Sequence, residues 1–217
     1  MTQPPDTPIA MEDRLLDEGR LYSPSVARNR EFITDILKTR LPDQARVLEI
    51  GSGTGEHGTA MCKARPDIRW QPSDPDERSR QSQRAWSRQV ADSMLAPLAL
   101  DLLKPDWFIH VQPFNAMVCM NVIHISPWAV AEGLMAGASA RLEMEGLIYL
   151  YGPFKEEAAT APSNDAFDQS LKARNPEWGV RELKDVLALF EAGGFDLEER
   201  IDMPSNNLSL VFRHRRV

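Results

Sequence analysis

The chain has 217 residues, a formal net charge of −7, and is 42% hydrophobic and 26% charged, which suits one domain with a sizeable core. The acidic balance disfavours nucleic acid as a partner, since nucleic-acid enzymes carry a basic surface, and no apolar run approaches the roughly 20 residues of a membrane span. The start Met1-Thr2-Gln3-Pro4-Pro5-Asp6 has neither the basic nor the apolar region of a secretory leader, so a cytoplasmic location without membrane attachment is expected.

Residues 1–22, with Pro4, Pro5, Pro8 and several charges, are expected to form a flexible arm, and residues 23–217 a single domain. A helix is predicted over residues 25–41, with Val26, Phe32, Ile33, Ile36 and Leu37 on one face and Pro42 stopping it. Val47-Leu48-Glu49-Ile50-Gly51-Ser52-Gly53-Thr54-Gly55 then reads as a strand, a tight turn and a helix start. Glycine at every second position permits turns that a Cβ would obstruct and lets the backbone approach a ligand, towards which the helix N–H groups point. Glu49, at the end of the strand, is expected to face the same pocket. The run reads as a nucleotide or nucleoside site. Gly53-Thr54-Gly55-Glu56-His57-Gly58 also fits the dinucleotide pattern G-x-G-x-x-G. That pattern should open directly after the strand, however, and here the first glycine is already Gly51.

A ribose needs a carboxylate to accept from its hydroxyls. Arg69-Trp70-Gln71-Pro72-Ser73-Asp74 reads as a second strand ending in an acid, with Asp74 about 20 residues past the loop. A helix is predicted over 77–93. The third apolar run, Pro97-Leu98-Ala99-Leu100-Asp101-Leu102, also carries an acid at its end. The fourth, 114–125, is apolar through Met120 and suits a parallel strand buried on both faces, with Asn121 and His124 beyond its carboxyl end. Ligands of open α/β sheets bind at that end, so Glu49, Asp74, Asp101 and Asn121 are expected on one rim.

A helix follows over 129–142, with Ala136, Gly137, Ala138 and Ala140 allowing close packing; then come a fifth strand over 146–151, a helix over 181–192 ended by Gly193-Gly194, and strands over 197–203 and 208–213. The last two strands are joined by Pro204-Ser205-Asn206-Asn207, a turn that only an antiparallel pair can use. Residues 154–178 are in excess of a minimal fold and hang over the same rim. They read as a lid-like insertion with Ser163 or Asn164 capping a short helix, the alternative being a surface helix with no ligand role. Cys62 and Cys119 are read as buried free thiols; neither has metal-ligand spacing and no metal is expected.

The register E-x-G-x-G-x-G resembles the S-adenosylmethionine (SAM) loop of class I methyltransferases. The resemblance implies a Rossmann-like α/β fold with a seven-stranded sheet in the order 3-2-1-4-5-7-6, the last strand antiparallel and helices on both faces. It implies SAM as cofactor, bound by Glu49, Gly51, Ser52, Gly53, Gly55, Asp74, Asp101, Leu102 and Asn121, with Asp101 facing the adenine amino group. A closer resemblance rests on Arg28-Asn29-Arg30-Glu31, the 70–74 run, Ile123-His124-Ile125-Ser126-Pro127-Trp128, Tyr151-Gly152-Pro153, Asn175-Pro176-Glu177-Trp178-Gly179 and Met203-Pro204-Ser205-Asn206-Asn207. Together these are similar to the poorly characterised family of methyltransferase-like protein 26. Gly51 stands where that family has alanine.

Methyl transfer from a sulfonium needs positioning and desolvation more than a strong base. His124 is the candidate base, with a packed histidine as the alternative, and Tyr151 the second candidate, with a core tyrosine as the alternative. Arg28 and Arg30 are candidates to hold a carboxylate, against a helix-surface ion pair. Trp128, Trp178 and Asn164 are candidate walls of an acceptor pocket. The expected function is methyl transfer to oxygen, nitrogen or sulfur of a small molecule. A protein or RNA methyltransferase and a non-catalytic SAM-binding regulator are the competing readings. The acidic charge and the lack of an Asn-Pro-Pro-Tyr-type motif favour the first.

Overall fold

The computed structural model describes residues 15–156 and 160–215. Residues 1–14 of the expected arm lie outside the described residues. Residues 15–22, read as the end of that arm, form an antiparallel hairpin of β1 (Leu15–Asp17) and β2 (Arg20–Tyr22). Leu21 docks it: the side chain is buried, its N–H donates to Ser82 Oγ at 2.8 Å and its carbonyl accepts from Trp86 Nε1 at 3.0 Å. Strands of three residues carry too little alternation to be read from sequence.

Helix α1 (Pro24–Arg40) starts at Ser23, whose side chain accepts from the Val26 N–H, and has Pro24 where a missing donor is harmless. Then follow β3 (Arg46–Ile50), α2 (Glu56–Ala64), β4 (Arg69–Pro72) and α3 (Glu77–Ser87), the last capped by Asp76. The helix expected over 77–93 thus ends at Ser87, and a 3-10 turn covers Ala91–Ser93. Beyond it lie β5 (Phe114–Met120), α4 (Trp128–Arg141), β6 (Leu142–Lys155) and α5 (Pro162–Arg174). The chain closes with β7 (Arg181–Glu182), α6 (Leu183–Ala192), β8 (Phe195–Met203) and β9 (Asn207–His214). Neither Ser163 nor Asn164 caps α5: Ala161 is the N-cap and Pro162 takes the first turn.

The main path of the sheet is β4-β3-β5-β6-β9-β8, with β7 pairing β6 off that path. The pairs β3–β4, β3–β5 and β5–β6 are parallel, whereas β9 is antiparallel to both β6 and β8. In the sequence-based numbering this is 2-1-4-5-7-6. The expected third strand over 97–102 is not a strand. Its place beside β4 is taken by residues 94–98, held by isolated parallel bridges Trp70↔Met94 and Ser73↔Leu98. Pro72 and Pro97 each remove a backbone donor, so the ladder cannot continue there.

Successive residues of the parallel strands point to opposite faces, and both faces are buried. Leu48, Met117, Ile148 and Phe212 pack under α4 and α6 with Leu134, Ala138, Val186 and Phe190. Val47, Ala116, Val118, Tyr149 and Val211 pack under α1 and α2 with Ile33, Leu37, Met61 and Cys62. The small residues of α4 serve this closeness. A Cβ on Gly137 would stand 1.9 Å from the Trp107 ring, whose Nε1 donates to Gly133 O at 3.0 Å. Among the described residues no helix is long and apolar enough to cross a membrane.

Candidate functional site

The loop between β3 and α2 runs through three left-handed positions, Gly51 (φ 63°), Gly53 (φ 54°) and Gly55 (φ 92°). Space as well as conformation selects glycine at its two ends. A Cβ on Gly51 would lie 2.6 Å from Val122 Cγ2, and one on Gly55 would lie 3.0 Å from Gln83 Cα. The loop is thus pressed between the turn after β5 and helix α3. Ser52 staples it to β4: its N–H donates to Ser73 O at 2.8 Å and its Oγ accepts from Ser73 N at 3.0 Å. The hydroxyl of Ser52 is therefore engaged within the protein.

Asp74 lies between the glycine loop and the start of α3. The carboxylate is buried at the end of β4, accepting from Gly53 N at 2.9 Å through Oδ2 and from Asp76 N at 3.0 Å through Oδ1. One acid thus holds the middle of the glycine loop and opens the turn into α3. Glu49 is 1% exposed and accepts from Trp70 Nε1 at 2.8 Å. Burial pushes its carboxyl up to about 7 against the hydrogen bonds from Trp70 and Ser52, with the Asp74 charge adding to the rise. Trp70 reaches it only because Gly58 has no side chain; a Cβ there would stand 2.6 Å from Trp70 Nε1. Asp101 is half-buried and accepts from Leu103 N at 3.1 Å, and Leu102 is buried beside it. The contact seen for Asp101 is thus a turn cap.

Asn121 follows β5 at φ 58°, with its N–H donating to Tyr151 O at 2.8 Å. His124 is buried edge-on to Phe167, at 5.7 Å between ring centroids. Gly152 gives it room, since a Cβ there would lie 3.2 Å from His124 Nδ1. Burial, and then the Arg181 charge, push its imidazole down to about 3. Tyr151 is buried on the α1 side of the sheet and bonded to the Asn29 side chain, and burial raises its phenol above the ordinary value. His124 and Tyr151 flank the end of β6 rather than forming a pair.

The expected acceptor-side residues divide. Arg30 pairs with buried Glu56 at 3.6 Å, and Glu56 also accepts from Ser23 N at 2.8 Å and Thr54 Oγ1 at 2.9 Å; α1 is thereby tied to the start of α2. Arg28 is exposed on α1. Asn164 is buried and donates to Phe154 O at 3.2 Å and Asn206 O at 2.9 Å, so it anchors α5 instead of facing a cavity. Trp178 is half-buried in the segment after α5, where Gly179 N donates to His124 O at 3.0 Å. Trp128 lines a cavity of about 460 Å³ together with Lys155, Lys172, Val180, Arg181, Glu182 and Asp185.

Sequence reasoning missed Gln83, Asn29, His57 and Arg181. Gln83 Nε2 donates to Gly53 O at 3.0 Å, while its Oε1 is buried with no protein partner. Asn29 Oδ1 and His57 Nδ1 are orphaned in the same way. Buried polar atoms are nearly always paired; of these, Gln83 touches the glycine loop, His57 follows it in α2, and Asn29 lies on α1 against Tyr151. Burial, with the Arg30 charge, holds His57 at about 3. His57, next to the glycine run, was open to inspection; Asn29 and Gln83 come from helices α1 and α3, and Arg181 from strand β7. Among the described residues no group of His, Cys, Asp and Glu is placed to hold a metal ion.

Residues 20–214 match the profile of a family described as "Protein of unknown function (DUF938)". Solved structures resemble the chain at low identity. An O-methyltransferase family protein from Burkholderia thailandensis superposes with a TM-score of 0.74 at 12% identity, over 88% of this chain and 57% of that one. Human N-acetylserotonin methyltransferase, in complex with SAM, gives 0.72 at 11% identity, over 88% and 53%. CalO1, a methyltransferase of calicheamicin biosynthesis in its SAH-bound form, gives 0.70 at 16% identity, over 88% and 54%. The chain spans little more than half the length of these neighbours. The fold is the Rossmann-like α/β fold of class I methyltransferases.

Proposed function

The chain belongs to the family described as a protein of unknown function (DUF938), and from that premise we propose that it is a SAM-dependent methyltransferase acting on a small molecule. One observation carries the reading: the left-handed glycine loop is fastened through Gly53 N to the carboxylate of Asp74, at the carboxyl ends of β3 and β4. That is a cradle for a nucleoside, with the acid at its ribose end. The orphaned Oε1 of Gln83, whose Nε2 holds Gly53 O, supports a polar ligand there. Neighbours of the same fold bind SAM or SAH, which supports the choice of cofactor.

In this reading Asp74 would hold the ribose, the glycine loop and Glu49 the methionine part, and Asp101 with Leu102 the adenine. When bound, SAM supplies a methyl group already activated as a sulfonium. The protein's own part is to orient the acceptor and exclude water around His124 and Tyr151. His124 is held neutral well below physiological pH, and Tyr151 keeps its proton. Both then act as hydrogen-bonding walls of the acceptor site, and turnover depends on positioning. The low basicity of His124 also keeps a second reading in play, a protein that binds SAM without transferring its methyl group.

Kinship with the family of methyltransferase-like protein 26 belongs to the same proposal. Several of the runs that carry that resemblance meet: Gly179 N reaches His124 O at 3.0 Å, and Pro153 pairs with Asn207 between β6 and β9. The test is calorimetry with SAM, SAH and NAD, followed by labelled-methyl transfer to a metabolite extract and to protein and RNA fractions. SAM and SAH are expected to bind, NAD to fail, and label to enter the small-molecule fraction. NAD binding as tightly as SAM would overturn the cofactor, and label in protein or RNA would overturn the acceptor class.

A further inference from the structure

Arg181 stands where a structural arginine would be costly. It is half-buried, and burial lowers its guanidinium below the ordinary value. Nε donates to Ile123 O at 2.9 Å, and Nη2 donates to Ser126 O and to Glu177 O. A guanidinium has five N–H donors. Both donors on Nη1 make no hydrogen bond among the described residues, and no carboxylate pairs with Arg181 there. The side chain lies over the Trp128 ring, 5.8 Å from its centroid, and both line the 460 Å³ cavity.

The two lysines of the cavity are paired. Lys155 reaches Asp168 at 2.6 Å and Asp165 at 3.7 Å, and Lys172 reaches the same Asp168 oxygen at 2.8 Å. Glu182 acts on Lys155, and Asp185 is exposed at the cavity wall. What remains is a guanidinium on which Asp168 acts only at longer range, with its two Nη1 donors unbonded among the described residues and facing a flat aromatic ring in a space of small-molecule size. We propose that this cavity binds the carboxylate of a small aromatic acid, with Nη1 of Arg181 donating to it and Trp128 against its ring. Glu182 and Asp185 in the wall oppose a doubly charged phosphate more than a singly charged carboxylate. The cavity adjoins the loop carrying His124, whose imidazole feels the Arg181 charge. Resting on the methyltransferase reading above, the inference makes this acid the methyl acceptor's class.

The test uses the full chain, with and without SAH, titrated with benzoate, benzamide and inorganic phosphate by calorimetry. Benzoate is expected to bind at least tenfold more tightly than benzamide, and Arg181→Lys to lose about tenfold or more of that affinity, as for a hydrogen bond to a charged group. Because Arg181 also clamps loop carbonyls, Asp185→Asn is the second variant. It removes an exposed negative charge from the cavity wall and is expected to tighten benzoate several-fold with the melting temperature little changed. Benzoate no tighter than benzamide, phosphate tighter than benzoate, or benzoate affinity unchanged in both folded variants would each overturn the proposal. Benzoate binding without SAH binding would sink the methyltransferase reading and leave the site standing. SAH binding without benzoate binding would do the reverse.

Discussion

His124 and His57 are buried histidines that burial pushes down to about 3, the Arg181 and Arg30 charges adding to the effect. In the unfolded chain an imidazole titrates near 6.5. Between those values the unfolded state holds a proton that the folded state lacks. Each histidine therefore contributes stability that is present at neutral pH and lost as pH falls below 6.5, by about 1.4 kcal/mol per pH unit. Glu49 runs the other way: raised from 4.5 to about 7, it holds its proton in the folded state, and its share is lost as pH rises through that window. Comparing variants separates them. His124→Asn is expected to gain on the wild type by about 1.4 kcal/mol for each unit below pH 6.5, read by urea unfolding. Parallel pH profiles would show that His124 is not held neutral by its surroundings. Asp74→Asn keeps the shape and removes the charge. SAH affinity is expected to fall about tenfold or more by calorimetry, for the loss of charged acceptors to the ribose hydroxyls. An unchanged Kd would take the ribose from Asp74.

Among elements, the glycine loop and α5 are the two whose packing decides the site. Gly51→Ala places a Cβ at φ 63° and 2.6 Å from Val122 Cγ2. The left-handed backbone alone costs roughly 1–2 kcal/mol. Adding Val122→Ala is expected to recover the clash but not the backbone term, as read from thermal melts of the single and double variants. Full recovery would mean that the loop needs space at Gly51 and not a left-handed residue. The segment 154–178 was expected to act as a lid. Its residues 157–159 lie outside the described residues, and its helix α5 is tied down at several points. Asn164 bonds Phe154 O and Asn206 O, and Asp168 Oδ1 accepts from Val180 N at 2.9 Å. Leu171 beneath them is fully buried. Hydrogen exchange is expected to show α5 protected with and without SAH. Asn164→Ala is expected to cost about 1–3 kcal/mol, since two buried carbonyls lose a donor, and to loosen α5 selectively. Strong protection of α5 only when SAH is present would favour the lid.

At the scale of the whole molecule, the parallel strands end together at one rim and the antiparallel β9 is inserted between β6 and β8. The amino-acid sequence by itself determined this order of elements. Runs such as 47–50 and 114–120 are apolar throughout because they are buried on both faces. The alternating glycines announce a backbone that only glycine adopts easily, and a short polar turn before β9 permits only an antiparallel return. These are local demands, so local sequence displays them. The prolines at 72 and 97 were equally visible, and their loss of donors reduced the third strand to bridges. Tertiary structure alone decided the rest. Arg181 meets the 123–126 turn across 58 residues of chain, and Asn29 meets Tyr151 because α1 crosses that face of the sheet. Gln83 reaches Gly53 because the β1–β2 hairpin and Ser82 fix α3 against the loop. Asn164, read as a pocket wall, became an anchor once Asn206 arrived beside it. Such meetings depend on how helices from distant segments pack, and no periodicity or spacing in the sequence encodes them, because a side chain's partner is set by the fold and not by its neighbours in the chain.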